Sequence, residues 1–453
     1  MTDIETIKST DGGDFFAVER PMWAKVCART SMNEAVAYLI LARGAHFGTR
    51  DTAWSTDAVE RYTGIARPRA KKAIQDLVQS GLLQQKRAGT KPLYHLPTAH
   101  EFENPPKPAV TLTDGEQAVL DMIAAAGGPV DVPYTSTAKN GWPRGRPNDV
   151  ARALVRKGKV QHSASQVLHF EVTPEKVEEA PKPEWIWLPN SLVDGVAGAV
   201  APIEQVRQTQ DVVALRLFVD LYFSQSLAMN GGVHWRQVRR EYDRHLVGQS
   251  GPYNVWGFVR GGRTGFGSAT FIAPFLTNTM KTFTRDDGST YQQDPGWPAF
   301  WAALSKLEQL ELVQSVAHII DADTDEGEVI HPYGMLAGEP GENEIAQEAY
   351  LAGERLLTSG QREWAADRRL WLLPVLRHIE NVQMVGLLRL RHRARTAATA
   401  EWLSGAEGWS VWVDRYRDVG QKPASDQGDA ISKGDQRGIQ GASRVGQGGI
   451  KGG

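Results

Sequence analysis

A chain of 453 residues, 41% hydrophobic and 23% charged, has the length for two to four domains and the composition of a folded protein with buried cores. Its formal charge of −2 gives no bulk attraction for polyanions, but the layout is uneven: residues 1–172 hold 22 Lys and Arg against 18 Asp and Glu, and the remainder 29 against 35. A single cysteine, Cys27, excludes internal disulfides and cysteine-rich zinc sites, and no run approaches the ~20 apolar residues of a membrane-spanning helix.

The opening MTDIETIKSTDGGDFF is acidic and polar and lacks a secretory pattern, so the expected location is the cytoplasm, away from membranes. Two charged, Pro-rich stretches, 101–108 and 173–183, read as linkers because prolines stop helices and charges cannot fill a core. They divide the chain into domains at 1–100, 109–172 and 184–418. Beyond Val419, residues 420–453 contain ten glycines and no aromatic residue, too little apolar area to offset the entropy of ordering, so 419–453 is expected to be a disordered tail.

In the first block, Asn33 to Arg43 is a compact apolar helix. Thr56 is placed to cap a second helix, which Gly64 ends in the left-handed conformation. A third helix starts near Arg67, with Pro68 where a missing N–H costs nothing. Ala70, Ala73, Ile74, Leu77 and Val78 form one apolar stripe, and Arg67, Arg69, Lys71, Lys72 and Gln75 lie off it. Leu82 to Lys86 and Pro92 to Leu96 read as two strands around a basic turn, Arg87 to Lys91.

Two helices joined at a glycine, then a hairpin, resemble the winged helix-turn-helix superfamily of bacterial DNA-binding proteins over residues 33–96. The resemblance implies a third helix in the major groove and a wing along the backbone or minor groove. Carried onto this chain, it makes Arg69, Lys72 and Gln75 candidates for base edges. Arg67, Lys71, Lys86, Arg87 and Lys91 become candidates for phosphates. From Trp54 to Leu96 eight basic residues face three acids, and both helix and wing are basic, as backbone contact requires. The alternative is a protein–protein module with a solvated basic face.

The second block opens with a capping box, Thr113 to Glu116, before a helix that is apolar at Val119, Leu120, Met122, Ile123 and Ala126. Val150, Ala151, Leu154 and Val155 mark another helix, and 160–162 with 167–172 a hairpin. This order gives weaker similarity to a winged helix. Residues 139–159 hold Lys139, Arg144, Arg146, Arg152, Arg156, Lys157 and Lys159 against Asp149 alone. Within them Pro143-Arg144-Gly145-Arg146-Pro147 resembles the core of an AT-hook, whose arginines enter a narrow A·T minor groove. The alternatives are phosphate contact and a plain loop ending at Pro147.

In the third block, 211–223 reads as a buried helix, 233–244 as an amphipathic helix and 297–310 as a further helix. With 312–320 and 329–332 as a hairpin, the order fits a third winged helix with an insertion at about 247–296. Its wing would carry Asp321, Asp323, Asp325, Glu326 and Glu328, which repel phosphate. Arg236, Arg239, Arg240, Arg260 and Arg263 form either a basic patch or a solvated face. Residues 361–405 read as a long helix or helix pair bent at Pro374 and Gly386, either pairing with a second subunit in a homo-oligomer or capping its own domain.

No catalytic constellation is evident. Gly261 to Gly267 lacks the Lys-Ser/Thr of a phosphate loop and reads as a flexible turn, the histidines are scattered, and the acids at 321–326 lack calcium-loop spacing. The expected fold is α+β and mostly helical: tandem winged-helix units, a helical C-terminal region and a disordered tail. The expected function is non-enzymatic, cofactor-free and metal-free binding of specific double-stranded DNA, as a bacterial transcription regulator or mobile-element control protein. A plasmid or phage replication initiator and a winged-helix assembly factor are the alternatives.

Overall fold

The computed structural model describes residues 14–105, 112–137, 141–157, 159–162, 169–172, 182–196, 199–226, 231–265, 269–321, 328–335, 337–379, 381–393 and 408–421. The chain divides into two compact units: residues 1–96 with 184–453, and residues 97–183.

The first unit begins with β1 (Phe15–Glu19), α1 (Arg20–Arg29), α2 (Met32–Arg43), β2 (Asp51–Thr52), α3 (Thr56–Thr63), α4 (Arg67–Gln79), β3 (Gln84–Arg87) and β4 (Leu93–His95). Ser31 and Glu34 close a capping box on α2, and Ala35 to Ala42 are all buried. A helix that is apolar all round must be covered all round. Here α3 and α4 cover part of it, and β1, α1 and α9 (Pro202–Gln208) cover other parts. Thr56 is the first residue of α3 rather than its cap, which is Ser55. Gly64 ends that helix at φ +63° and lets the chain turn into α4. The three short strands form an antiparallel sheet in the order β2-β4-β3.

The second unit contains α5 (Ala99–Glu103), α6 (Asp114–Ala125), β5 (Val130–Asp131), α7 (Pro147–Arg156), β6 (Val160–His162) and β7 (His169–Val172). The first stretch read as a linker thus starts as a short helix, closed by a Thr98–Glu101 capping box. Val119, Ile123, Val132, Ala151, Leu154, Val160 and Phe170 form a small core. The strand order β5-β7-β6 repeats that of the first unit's small sheet, but only α6 and α7 accompany it among the described residues after 112.

The remainder of the first unit contains β8 (Trp185–Pro189), α8 (Ser191–Asp194), α9, α10 (Val212–Ser224), β9 (Gln225–Ser226), β10 (Gly232–Val233), β11 (Arg239–Ser250), β12 (Tyr253–Gly265), α11 (Ala269–Ile272), β13 (Lys281–Thr284) and β14 (Thr290–Gln293). After them come α12 (Gly296–Gln309), β15 (Val313–Asp321), β16 (Val329–Pro332), α13 (Pro340–Leu356), α14 (Ser359–Asp367), β17 (Trp371–Leu376), β18 (Val382–Leu390) and α15 (Ser410–Asp418). Six strands form one antiparallel sheet in the order β16-β15-β18-β11-β12-β17. Tyr253, Phe258, Ile319, Tyr333 and Met384 share one core with Ile345, Ala346 and Ala349 of α13 and with Val413 and Tyr416 of α15.

This sheet overturns the mostly helical reading with tandem winged-helix units and a helical C-terminal region: the protein is mixed α/β. The amphipathic helix expected at 233–244 is the start of β11, and the long helix expected at 361–405 is α14 followed by β17 and β18. The expected hairpin does form from β15 and β16, but β15 pairs along its length with β18 inside the large sheet. Gly261, Gly262 and Gly265 belong to β12, not to a turn. Of the acidic wing, Asp321 ends β15 and Glu328 hydrogen-bonds back to it, while Asp323, Asp325 and Glu326 lie outside the described residues. Residues 422–453 of the expected tail also lie outside them, whereas Val419 is buried in the core.

Two neutral histidines sit in this core. His331 Nδ1 donates to the Pro332 carbonyl and Nε2 accepts from the Tyr416 hydroxyl, at 2.8 Å each. Burial pushes His331 down from 6.5 to about 4, and burial with the neighbouring Arg389 cation pushes His318 well below its ordinary value. An unfolded chain takes up these protons below about pH 6.5 while the fold refuses them. Stability is therefore fully present above pH 6.5 and is lost as pH falls towards 4, with His331 contributing on the order of 3 kcal/mol. Urea titrations at pH 7 and pH 4.5 should give a shallower loss in a His331→Asn variant than in the native protein.

Candidate nucleic-acid interface

Helix α4 is held from behind. Ala70, Ala73, Ile74 and Leu77 are buried against the first unit's core, so the line Pro68, Lys72, Gln75 and Gln79 faces directly away from it. Arg67, Arg69, Lys71, Lys72 and Gln75 are all exposed. Support for the turn comes from Trp54, which stacks on Tyr62 at 5.0 Å with Arg43 over its ring. A Cβ at Gly44 would come within 2.2 Å of that indole, so glycine is required for this approach.

The cations are not equivalent. Arg67 reaches back to Asp57 at 2.5 Å and Glu60 at 3.6 Å on α3, which ties the two helices together. Lys72 pairs with Asp76 at 2.5 Å, and that hydrogen bond holds its ammonium above the ordinary lysine value. Arg69 and Lys71 have no partner among the described residues. The sequence reading set Lys72 beside Arg69 as a base reader, yet Lys72 must leave Asp76 to serve, whereas Arg69 is free.

The hairpin of β3 and β4, read from the sequence as a wing, is anchored at its base. Asp51 accepts from Lys86 Nζ at 2.8 and 3.0 Å, and its Oδ1 lies 2.7 Å from His95 Nδ1. Burial acts to raise the Asp51 carboxyl, but the bonds from Lys86 and His95 outweigh it and hold the group below the usual carboxylate range. Arg87 Nε donates to the Lys91 carbonyl at 2.8 Å and closes the tip, leaving the Lys91 ammonium exposed. Sequence reasoning missed Asp51 and His95, which set the wing's geometry, and Gln79. For Gln79 a signal existed, since it lies four residues beyond Gln75 on the same face.

The second unit carries its own basic surface. Arg144, Arg146, Arg152 and Arg156 are exposed. Arg146 lies 3.7 Å from Asp149, and Lys157 is bridged to Glu116 at 2.7 Å, which removes it from the free set. The 143–147 segment is a bridged turn: Gly145, at φ +116°, exchanges both backbone hydrogen bonds with Ser136. Those backbone groups are not free to line a groove floor. Lys139 lies outside the described residues.

Comparison with family models, characterised proteins and solved structures finds no match to this chain. The interface therefore rests on its own geometry.

The C-terminal arginines are engaged by the protein itself. Arg239 pairs with Glu241 at 3.2 Å, Arg240 with Glu308 at 2.6 Å, and Arg236 and Arg239 both lie over the Trp235 ring. The side chains of Arg260 and Arg263 lie outside the described residues. No group of three or more His, Cys, Asp or Glu that could hold a metal occurs among the described residues, and no described helix is long and apolar enough to cross a membrane.

Proposed function

We propose that the basic face of α4 and its wing binds double-stranded DNA in a sequence-dependent manner, without catalysis, in a regulator or a mobile-element control protein. The observation that carries this reading is the exposed side of α4, where Lys72, Gln75 and Gln79 face directly away from the core and Arg69 and Lys71 flank that line on either side, neither with a partner among the described residues. It is backed by a rigid apolar core and flanked by an anchored hairpin with an exposed cationic tip. Arginine grips guanine through two bonds, and glutamine does the same with adenine. Free cations release counterions from phosphate, whereas cations already paired with Asp51, Asp57 or Asp76 contribute less.

A replication initiator is the second reading. The exposed arginines of α7, in a separate compact unit of the same chain, favour it. Two tethered basic modules raise each other's effective concentration on neighbouring sites. Selection from random duplexes, followed by footprinting on the recovered sequence, tests both readings. A regulator protects one short site and an initiator protects direct repeats. Binding with no sequence preference and no salt dependence contradicts both.

The wing supplies a separate prediction. Lys91→Ala should weaken selected and random duplexes alike and lower the slope of log affinity against log salt by about one unit. Salt titrations by fluorescence anisotropy check it.

A further inference from the structure

The two-stranded sheet of β1 and β8 has one buried face and one partly exposed face rich in aromatic rings. Phe16, Val18, Ile186 and Leu188 point into the core, and by alternation Phe15, Ala17, Trp185 and Trp187 occupy the other side, with buried Glu19 and Pro189 at its two ends. Phe47, from the loop between α2 and β2, joins them. Its ring centroid lies 5.0 Å from Trp187 and 5.5 Å from Trp185, and Phe15 meets Trp187 edge-on at 5.1 Å. Phe15, Phe47 and Trp187 are 41%, 55% and 45% exposed, which is unusual for three large rings in mutual contact.

We infer that this face stacks unpaired nucleobases of single-stranded DNA beside the duplex-binding surface, an inference that rests on the DNA-binding reading above. Two features favour a nucleic acid. The exposed part of the patch is made of flat rings, Phe15, Phe47 and Trp187, with small Ala17 opposite Trp187 in the strand register. Every base offers a π-face to such a platform, and each stacked base adds affinity with little dependence on sequence. The platform is also continuous with the wing: the Phe47 loop is closed by hydrogen bonds from His46 to Asp51 and from Arg50 to His46, and Asp51 holds Lys86 of the wing. His46, next to Phe47 in sequence, is exposed, and Arg20 is bonded to Glu184. A protein that melts duplex next to its binding site needs such a surface for the released strand.

The test uses the full chain with two labelled probes, a single-stranded oligothymidylate and a selected duplex. Trp187→Ala and Phe47→Ala should each weaken oligothymidylate binding roughly tenfold and leave duplex affinity within about twofold, while Trp187→Phe retains most of the single-strand affinity. Arg69→Ala should do the reverse. Failure of the native protein to bind oligothymidylate overturns the inference while leaving the duplex reading standing. So does unchanged binding by folded Trp187→Ala. A Trp187→Ala protein that sediments as a monomer where the native protein sediments as a dimer, with equal oligothymidylate affinity, assigns the face to a second copy and also overturns it. Loss of duplex binding alone, with the tryptophan effects intact, counts against the α4 interface instead.

Discussion

Arg69→Ala is expected to weaken binding to a selected duplex by about 1–3 kcal/mol, roughly five- to 150-fold, and to narrow the gap between selected and random sequences. Arg69 lies in the first turn of α4, is exposed and has no partner among the described residues. It therefore needs to break no intramolecular bond before reaching a base. Arg67 is the control, because its bond to Asp57 gives it a structural role as well. Anisotropy titrations of both duplexes at one salt concentration measure the effect. An equal loss for the two duplexes would place Arg69 on a phosphate instead.

The second large effect is on folding. Arg389 of β18 is fully buried, and its guanidinium grips Glu342 of α13 through two bonds of 2.5 and 2.6 Å. It also donates to His318 Nε2 at 3.1 Å, while His318 Nδ1 donates to the Val316 carbonyl. Arg389→Met should cost about 3–5 kcal/mol, because it leaves a carboxylate buried without its cation. The double change Arg389→Met, Glu342→Leu should recover most of that loss, since two apolar side chains replace a pair whose desolvation nearly cancels its attraction. It should remain short of native stability by about 1 kcal/mol, because Glu342 also caps α13 through the Glu339 N–H. Urea midpoints of the two variants distinguish this coupling from simple loss of packing. If the double variant is no more stable than the single, the buried pair is not the source of the cost.

The first block was legible because its signals are local. A five-residue apolar stripe, a helix-ending glycine and a basic turn lie within about thirty residues of one another, and α4 starts at Arg67 with four of the five stripe residues buried. The large sheet was not legible, for three physical reasons. β18 is buried along nearly its whole length, so it reads as a continuous apolar run without the alternation that marks a half-exposed strand. Pro374 suggested a bent helix, but it lies in β17, the edge strand of the sheet, where a missing donor costs little. Gly386 suggested a second bend, whereas it admits close strand packing: a Cβ there would come within 2.1 Å of Ser315 Oγ.

Charge misled in the same region. The arginines of 389–393 read as the basic end of a helix, but Arg389 is a core residue, Arg391 pairs with Glu311 and Arg393 with Glu339. Their partners lie 47 to 80 residues away in sequence, which no local pattern can reveal. At the interface the same limit applies. The cationic residues were visible, and so was the i, i+4 spacing of Lys72 and Asp76, but Asp51 becomes the partner of Lys86, and Asp57 of Arg67, only in the fold.

Cross-linking of the full chain to a selected duplex, with the linked peptides located by mass spectrometry, tests the DNA interface most directly. The expected result is cross-links within residues 67–79 and 84–93 that disappear when a large excess of unlabelled selected duplex is added. Cross-links confined to other segments, or none within those two at a concentration where the duplex is bound, would contradict it.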